Sequence, residues 1–99
     1  MSPKEIWVLT ISTPIGRITA NIDLFEEDGR WRGTASGTGE EVELTDLVRD
    51  GNRLTWRQAV NRPLRLNLAF DVTVDGDVLA GTSKAGRLPP SKVAGRRRR

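Results

Sequence analysis

Three Asp-Gly pairs divide this chain into runs of alternating apolar and polar residues, and that pattern limits the fold more than any other feature. The pairs are Asp28-Gly29, Asp50-Gly51 and Asp75-Gly76, spaced 22 and 25 residues apart. Both residue types tolerate the positive φ angles of tight two-residue turns, so Asp-Gly between alternating runs is a strong β-hairpin signal. The chain is therefore predicted to be an antiparallel β-protein.

The runs between the pairs have the two-residue period of strands with one buried and one solvated face. Ile18, Ala20, Ile22 and Leu24 share one such face. The segments after the pairs resemble one another, although the first has one fewer residue before its large apolar position. Eight strands are predicted, at residues 4–12, 17–25, 30–36, 41–48, 53–60, 63–74, 78–84 and 91–97.

Short connections join all these strands, so the predicted fold is all-β, an eight-stranded antiparallel up-and-down meander that curls into a β-barrel. Closure removes the edge strands that promote aggregation. An open sandwich is the alternative. Up-and-down order places the Asp-Gly turns and both termini at one end of the barrel, and the other four loops at the opposite end. That opposite end is the predicted mouth.

The predicted interior combines large and small side chains. Gly33, Ala35, Gly81 and Ala20 are small at inward positions, where they either leave a cavity or make room for the tryptophan rings. Gln58 and Ser83 are polar inward residues on the mouth side, as in a small-molecule site. The candidate ligand-binding residues are Trp56, Gln58, Ser83, Ala35 and Leu66.

The composition excludes several kinds of chemistry. The chain has no histidine and no cysteine. It therefore lacks the usual general base and the two commonest transition-metal ligands, and no nucleophile–histidine pair can form. Glu40, Glu41 and Glu43, with Asp46 further along, are predicted to lie on a solvated surface. We expect no cofactor, no metal site and no catalytic residues, and whether the chain is an enzyme stays open, with a binding role favoured.

The basic residues are concentrated at the C-terminus. Residues 84–99 hold seven basic side chains and no carboxylate, whereas residues 1–83 hold nine basic and 13 acidic ones. The predicted organisation is one barrel domain at 1–95 followed by a basic tail at 96–99 that is solvated and frayed. This distribution disfavours a nucleic-acid partner, because the body is acidic. Without a signal peptide or a long apolar run, we expect a cytoplasmic protein with no membrane span.

Several motifs resemble those of a family of small bacterial calycin-like barrels, related in architecture to lipocalins and streptavidin. The motifs are the run from Trp7 to Gly16, the three Asp-Gly turns, Gly33-Thr-Ala-Ser-Gly37 and the Ala80-Gly81-Thr82 stretch. The family has no general activity to carry over. The wider calycin group implies apolar ligand binding, and barrel closure by a first-strand tryptophan and a last-strand basic residue. Trp7 and Arg97 (or Arg96) match those two positions, and the resemblance implies that they stack in a cation–π contact.

The favoured function is a non-enzymatic binding module for a small apolar or aromatic ligand at the mouth. Two alternatives remain open. One is a cyclase or isomerase that works without histidine or cysteine by confining its substrate. The other is a non-catalytic assembly or interaction domain, which includes a homodimer.

Overall fold

A computed structural model describes residues 4–13, 16–37, 40–60 and 66–98, and this part of the chain consists of β-strands and short connections. The strands are β1 (Lys4–Thr13), β2 (Gly16–Glu27), β3 (Arg30–Gly37), β4 (Glu40–Glu43), β5 (Thr45–Asp50), β6 (Arg53–Val60), β7 (Leu66–Asp75), β8 (Val78–Ala85) and β9 (Ser91–Arg98). Within the described ranges, no helix is long and apolar enough to cross a membrane.

The nine strands form one antiparallel sheet in the order β4-β3-β2-β1-β9-β8-β7-β6-β5. Neighbours in this order are also neighbours in sequence, except where the last strand returns to the first. There β9 pairs with β1 along Ile6 to Ser12. The two ends of the order, β4 and β5, are consecutive in the chain, so the sheet curls into a nearly closed barrel. The predicted all-β antiparallel meander is confirmed at this level.

The predicted count of eight strands is wrong, because the fourth strand is split. Its first half, β4, pairs with β3 from Thr34↔Glu43 to Gly37↔Glu40. The Leu44 amide donates a last hydrogen bond to the Gly33 carbonyl at 2.9 Å. Thr45 then starts pairing with Arg57 of β6. The strand thus leaves one neighbour and joins the other, which turns the corner that closes the barrel.

A β-bulge follows this corner. Asp46 has a positive φ of 51°, and the β5–β6 register shifts between Thr45 and Val48, so that one extra residue lies on β5. A bulge reverses which side chains face inward. Beyond it, Val48 is 56% exposed, whereas Arg49 is drawn to the barrel interior.

All three Asp-Gly pairs form two-residue hairpin turns, but of two kinds. Glu27 and Arg30 flank the turn Asp28-Gly29, in which both φ angles are positive, at 53° and 77°. In the other two turns the glycine comes first, with a φ of 60° at Gly51 and 61° at Gly76. These are the type I′ and type II′ geometries. The different position of glycine in the turn explains the one-residue offset between the first segment and the other two.

The core fills the barrel, including the positions of its inward glycines. A Cβ atom built on Gly33 would lie 2.9 Å from side-chain atoms of both Leu24 and Leu44. One built on Gly81 would lie 2.6 Å from Val72 Cα of the adjacent strand. Glycine is required at both places because neighbouring atoms already occupy the space. At these two positions the small residues accommodate their neighbours and leave no cavity.

The last strand carries three of the four consecutive arginines at residues 96–99. Arg96, Arg97 and Arg98 belong to β9, and Val78 pairs with Arg96. The Arg97 amide also donates a hydrogen bond to the Asp77 carbonyl at 2.7 Å. The sheet therefore continues beyond residue 95, through Arg98.

Candidate functional site

A small apolar recess opens at the end of the barrel opposite the Asp-Gly turns, and we call it the mouth recess. Its apolar walls come from Ile11, Ile18, Ala20, Ala35, Val42 and Leu68. Its cavity volume is about 40 Å³. A cavity needs about 10–15 Å³ for each water molecule, so the recess holds a few waters or one small apolar group. A pocket for a whole drug-sized ligand is several hundred Å³.

The floor of the recess is set by one row of the sheet. Gln58 pairs with Leu68 across β6 and β7, and both line the recess. The next row towards the Asp-Gly end contains Trp56, Phe70 and Ser83, which are ladder partners in turn. Side chains on the same face alternate by two residues along a strand, so this second row lies directly beneath the first.

Trp56 lies beneath the recess and does not line it. The indole stacks on Phe70 with ring centroids 4.7 Å apart and planes 7° from parallel. Its Nε1–H donates to Gln58 Oε1 at 2.9 Å. Trp56 is only 2% exposed. The ring therefore sits in the core and reaches the recess only through Gln58.

The hydrogen bond from Trp56 fixes the orientation of the Gln58 amide. An indole N–H is only a donor, so the Gln58 oxygen must face it and the amide nitrogen must point the other way. Among the described residues, that nitrogen has no hydrogen-bond acceptor, and Gln58 lines the recess. The recess thus offers an N–H donor at an otherwise apolar base.

The five sequence-predicted ligand residues fall into different places. Ala35 and Gln58 line the mouth recess. Trp56 and Ser83 are buried in the row beneath it, with Ser83 3% exposed. The backbone of Leu66 belongs to β7, opposite Val60, but its side chain lies outside the described part of the structure. The structure therefore groups two of the five at one opening and two more one layer below.

The opposite end of the barrel is held by a chain of polar contacts that the sequence did not indicate. Trp7 Nε1 donates to Glu5 Oε1 at 3.1 Å, and Arg49 Nη1 donates to Glu5 Oε2 at 2.7 Å. The Arg49 guanidinium lies over the Trp31 ring, 4.7 Å from its centroid, in a cation–π contact. The Glu5 side chain is 10% exposed and that of Arg49 is 24% exposed. We call these four residues the lower clasp.

Trp7 and Arg97 are directly opposite each other in the β1–β9 ladder. Arg97 is exposed, and the Trp7 indole N–H is taken by Glu5. The arginine that stacks on a tryptophan is Arg49, on Trp31. Stacking of Arg97 on Trp7 stays a prediction. The lower clasp escaped sequence reasoning because the bulge at Asp46 turns Arg49 inward.

The carboxylates near the mouth are mostly at the surface. Glu41 and Glu43 are exposed, and Glu43 accepts a hydrogen bond from Arg32 at 2.9 Å. This hydrogen bond, with a second one to Glu27, raises the pKa of Arg32. Glu40 contributes to the lining of the recess. Among the described residues, no group of three or more histidine, cysteine, aspartate or glutamate side chains is placed to hold a metal ion.

The fold and site of the described residues define a class: a small, nearly closed antiparallel β-barrel with a packed core and a shallow apolar recess at one end. Comparison with protein families, curated proteins and solved structures finds nothing that matches this chain.

Proposed function

We propose that this chain is a calycin-like binding module that holds a small apolar group, carrying a hydrogen-bond acceptor, in the mouth recess. The observation that carries the proposal is the pairing of apolar walls with the free N–H of Gln58 at their base. Ligand sites are typically apolar with a few placed polar groups that orient the ligand.

The volume refines the class of ligand. A recess of about 40 Å³ takes a short acyl end, a branched alkyl group or the edge of an aromatic ring, while the rest of the molecule remains outside. The acceptor on the ligand is a carbonyl or ether oxygen, since the amide nitrogen of Gln58 can only donate. Among the described residues that line the recess, Glu40 is the ionisable side chain. Such a lining fits a non-enzymatic role.

Two substitutions separate this proposal from a general effect on the fold. Ala35→Val fills the recess, and we expect it to weaken binding at least tenfold, since one added methyl group already clashes in a filled site. Ala80→Val is the matched control, because Ala80 is exposed on the outer face and pairs with Ala94. It should bind as the unchanged protein does.

Gln58→Glu tests the hydrogen-bond donor. The carboxylate still accepts from the Trp56 indole but has no N–H for the ligand, so binding falls while Trp56 stays in place. The measurement is made near pH 8, because burial raises the pKa of a carboxyl group and a protonated one would donate again. Calorimetric titration with short-chain amides, esters and aromatic ketones provides the panel. Failure of every compound at millimolar concentration, or equal affinities for the Ala35→Val and Ala80→Val variants, contradicts the proposal.

A further inference from the structure

The outer face of β9 and its two neighbours is basic. Outward positions on β9 are Lys92, Ala94, Arg96 and Arg98, all exposed. Ser12 of β1 pairs with both Lys92 and Arg17, which places the exposed Arg17 two strands from Lys92 on the same row. Lys84 is exposed on the outer face of β8. We call Arg17, Lys84, Lys92, Arg96 and Arg98 the basic face.

The floor between these cations is made of small side chains. Thr10 pairs with Ala94, and Ala94 pairs with Ala80, across β1, β9 and β8. A shallow groove on this face runs beside Arg96 and Arg98 and is lined by Val8, Thr10, Ala94 and Gly95, with the exposed Val78 at its side. Small residues and threonine hydroxyls allow a phosphate group to approach the sheet closely.

None of the five cations of the basic face has an ion-pair partner among the described residues. Within the described residues the ion pairs are Arg32 with Glu27 and Glu43, Arg49 with Glu5, and Arg53 with Asp71. The carboxylates that share rows with the basic face are Asp23, Asp71 and Asp75, each two strands from its cation in the ladder. Asp71 is already engaged by Arg53. Asp77 lies nearer, one residue before the Val78 that pairs with Arg96. The basic face therefore presents mainly positive charge, with one carboxylate at its edge.

We propose that the basic face binds the phosphate backbone of duplex nucleic acid without regard to base sequence. The sequence alone disfavoured such a partner because the arginines looked like a frayed tail behind an acidic body. In the structure Arg96 and Arg98 are strand residues that point to one side, so their charges have a fixed spacing.

The side chains in the groove favour a duplex over a single strand. Lys92 and Arg98 are six residues apart on one strand, about 20 Å at ~3.4 Å per residue, so the basic face extends over roughly six base pairs of B-DNA. Proteins that bind single strands stack the bases on aromatic side chains. The groove on the basic face is floored by aliphatic and hydroxyl side chains, so phosphate contacts are what it offers.

The test is fluorescence anisotropy of a labelled duplex of about 20 base pairs with random sequence, at salt concentrations from about 50 to 200 mM. Four to five phosphate contacts predict an affinity loss on the order of 100-fold across that range. Arg96→Gln with Arg98→Gln should weaken binding about tenfold and reduce the salt slope by about two.

The double variant Arg30→Gln with Arg57→Gln is the matched control. Both arginines are exposed and lie outside the basic face, and replacing them removes the same amount of charge. This variant should keep nearly all the affinity. Equal weakening by the two double variants would overturn the proposal, as would the absence of binding at the lowest salt.

A second experiment measures sedimentation of the protein with vesicles rich in anionic phospholipid. Binding to vesicles without binding to the duplex would assign the face to a membrane and also overturn it.

Discussion

The lower clasp predicts a large and specific loss of stability when its carboxylate is removed. Glu5→Ala leaves the buried Trp7 indole N–H without an acceptor, which costs about 1–3 kcal/mol. It also removes a charge-assisted hydrogen bond to Arg49, worth about 1.5–3 kcal/mol. The Arg49 side chain is 24% exposed and regains some hydration, so the total is expected at about 3–5 kcal/mol.

Glu5→Gln separates the two contributions. Its side-chain oxygen still accepts from Trp7, but its amide nitrogen then faces Arg49 and cannot accept, so the charge and the hydrogen bond to Arg49 are both lost. We expect a cost of about 1.5–3 kcal/mol. A double-mutant cycle of Glu5→Gln with Arg49→Met isolates the pair, with an expected coupling energy of about 1–3 kcal/mol.

Urea unfolding followed by tryptophan fluorescence measures all four variants, because the three tryptophans report on both ends of the barrel. A loss of 3–5 kcal/mol is large beside the roughly 5–15 kcal/mol that a domain has in total. Additive effects of Glu5→Gln and Arg49→Met, or a loss below about 0.5 kcal/mol for Glu5→Ala, would refute the lower clasp as a stabilising contact.

Three further predictions concern the strands and their pairing. Gly33→Val should destabilise the barrel by about 1–3 kcal/mol, measured by urea unfolding, because the new side chain enters occupied space. Asp46→Val should cost about 1–3 kcal/mol at its positive φ whereas Asp46→Gly should be tolerated, and equal effects would contradict the bulge. The hydrogen bonds from Arg53 hold the pKa of Asp71 below its ordinary value of 3.8. NMR titration should therefore show the Asp71 midpoint rising in Arg53→Gln. Above about pH 4 the variant should be less stable than the unchanged protein. This difference in stability should disappear as the pH falls through the folded-state pKa of Asp71.

The hairpins were predictable from sequence because their signals are local. Asp28-Gly29 together, and the glycines Gly51 and Gly76 alone, supply the positive φ angles that these turns require, and a turn lies at each of the three pairs. Alternation then assigned the inward faces of β2, β6 and β7, where Ile22, Trp56 and Phe70 are buried. These features depend on neighbours in the chain, so they are readable without knowing the fold.

The split fourth strand was not predictable, because tertiary geometry decides it. The stretch Leu44-Thr45-Asp46-Leu47 contains no glycine or proline to mark a corner. Its break follows from the need to leave β3 and join β6 as the barrel closes. Glu5 and Arg49 were missed for the same reason, since their contact spans 44 residues and depends on the bulge.

The candidate site was predicted in part. The sequence indicated the mouth and two residues of its lining, Ala35 and Gln58. It did not decide whether the small inward residues leave a cavity, and at Gly33 and Gly81 neighbouring atoms occupy that space. The sequence also did not reveal the hydrogen bond from Trp56 to the Gln58 oxygen. That bond leaves the amide nitrogen of Gln58 as the end that faces a ligand.

The most direct test of the proposed function is a nitrogen–proton NMR titration of the unmodified protein with the compounds of the calorimetric panel. The chain has three tryptophans, so three indole N–H signals report separately on the mouth support and the lower clasp. Ligand in the mouth recess should shift the Trp56 indole and the amides of Ala35 and Gln58. It should leave the Trp7 indole unchanged, since that group is bonded to Glu5 at the other end. No shifts with any compound, or shifts confined to the outer faces or to Trp7, would contradict the account.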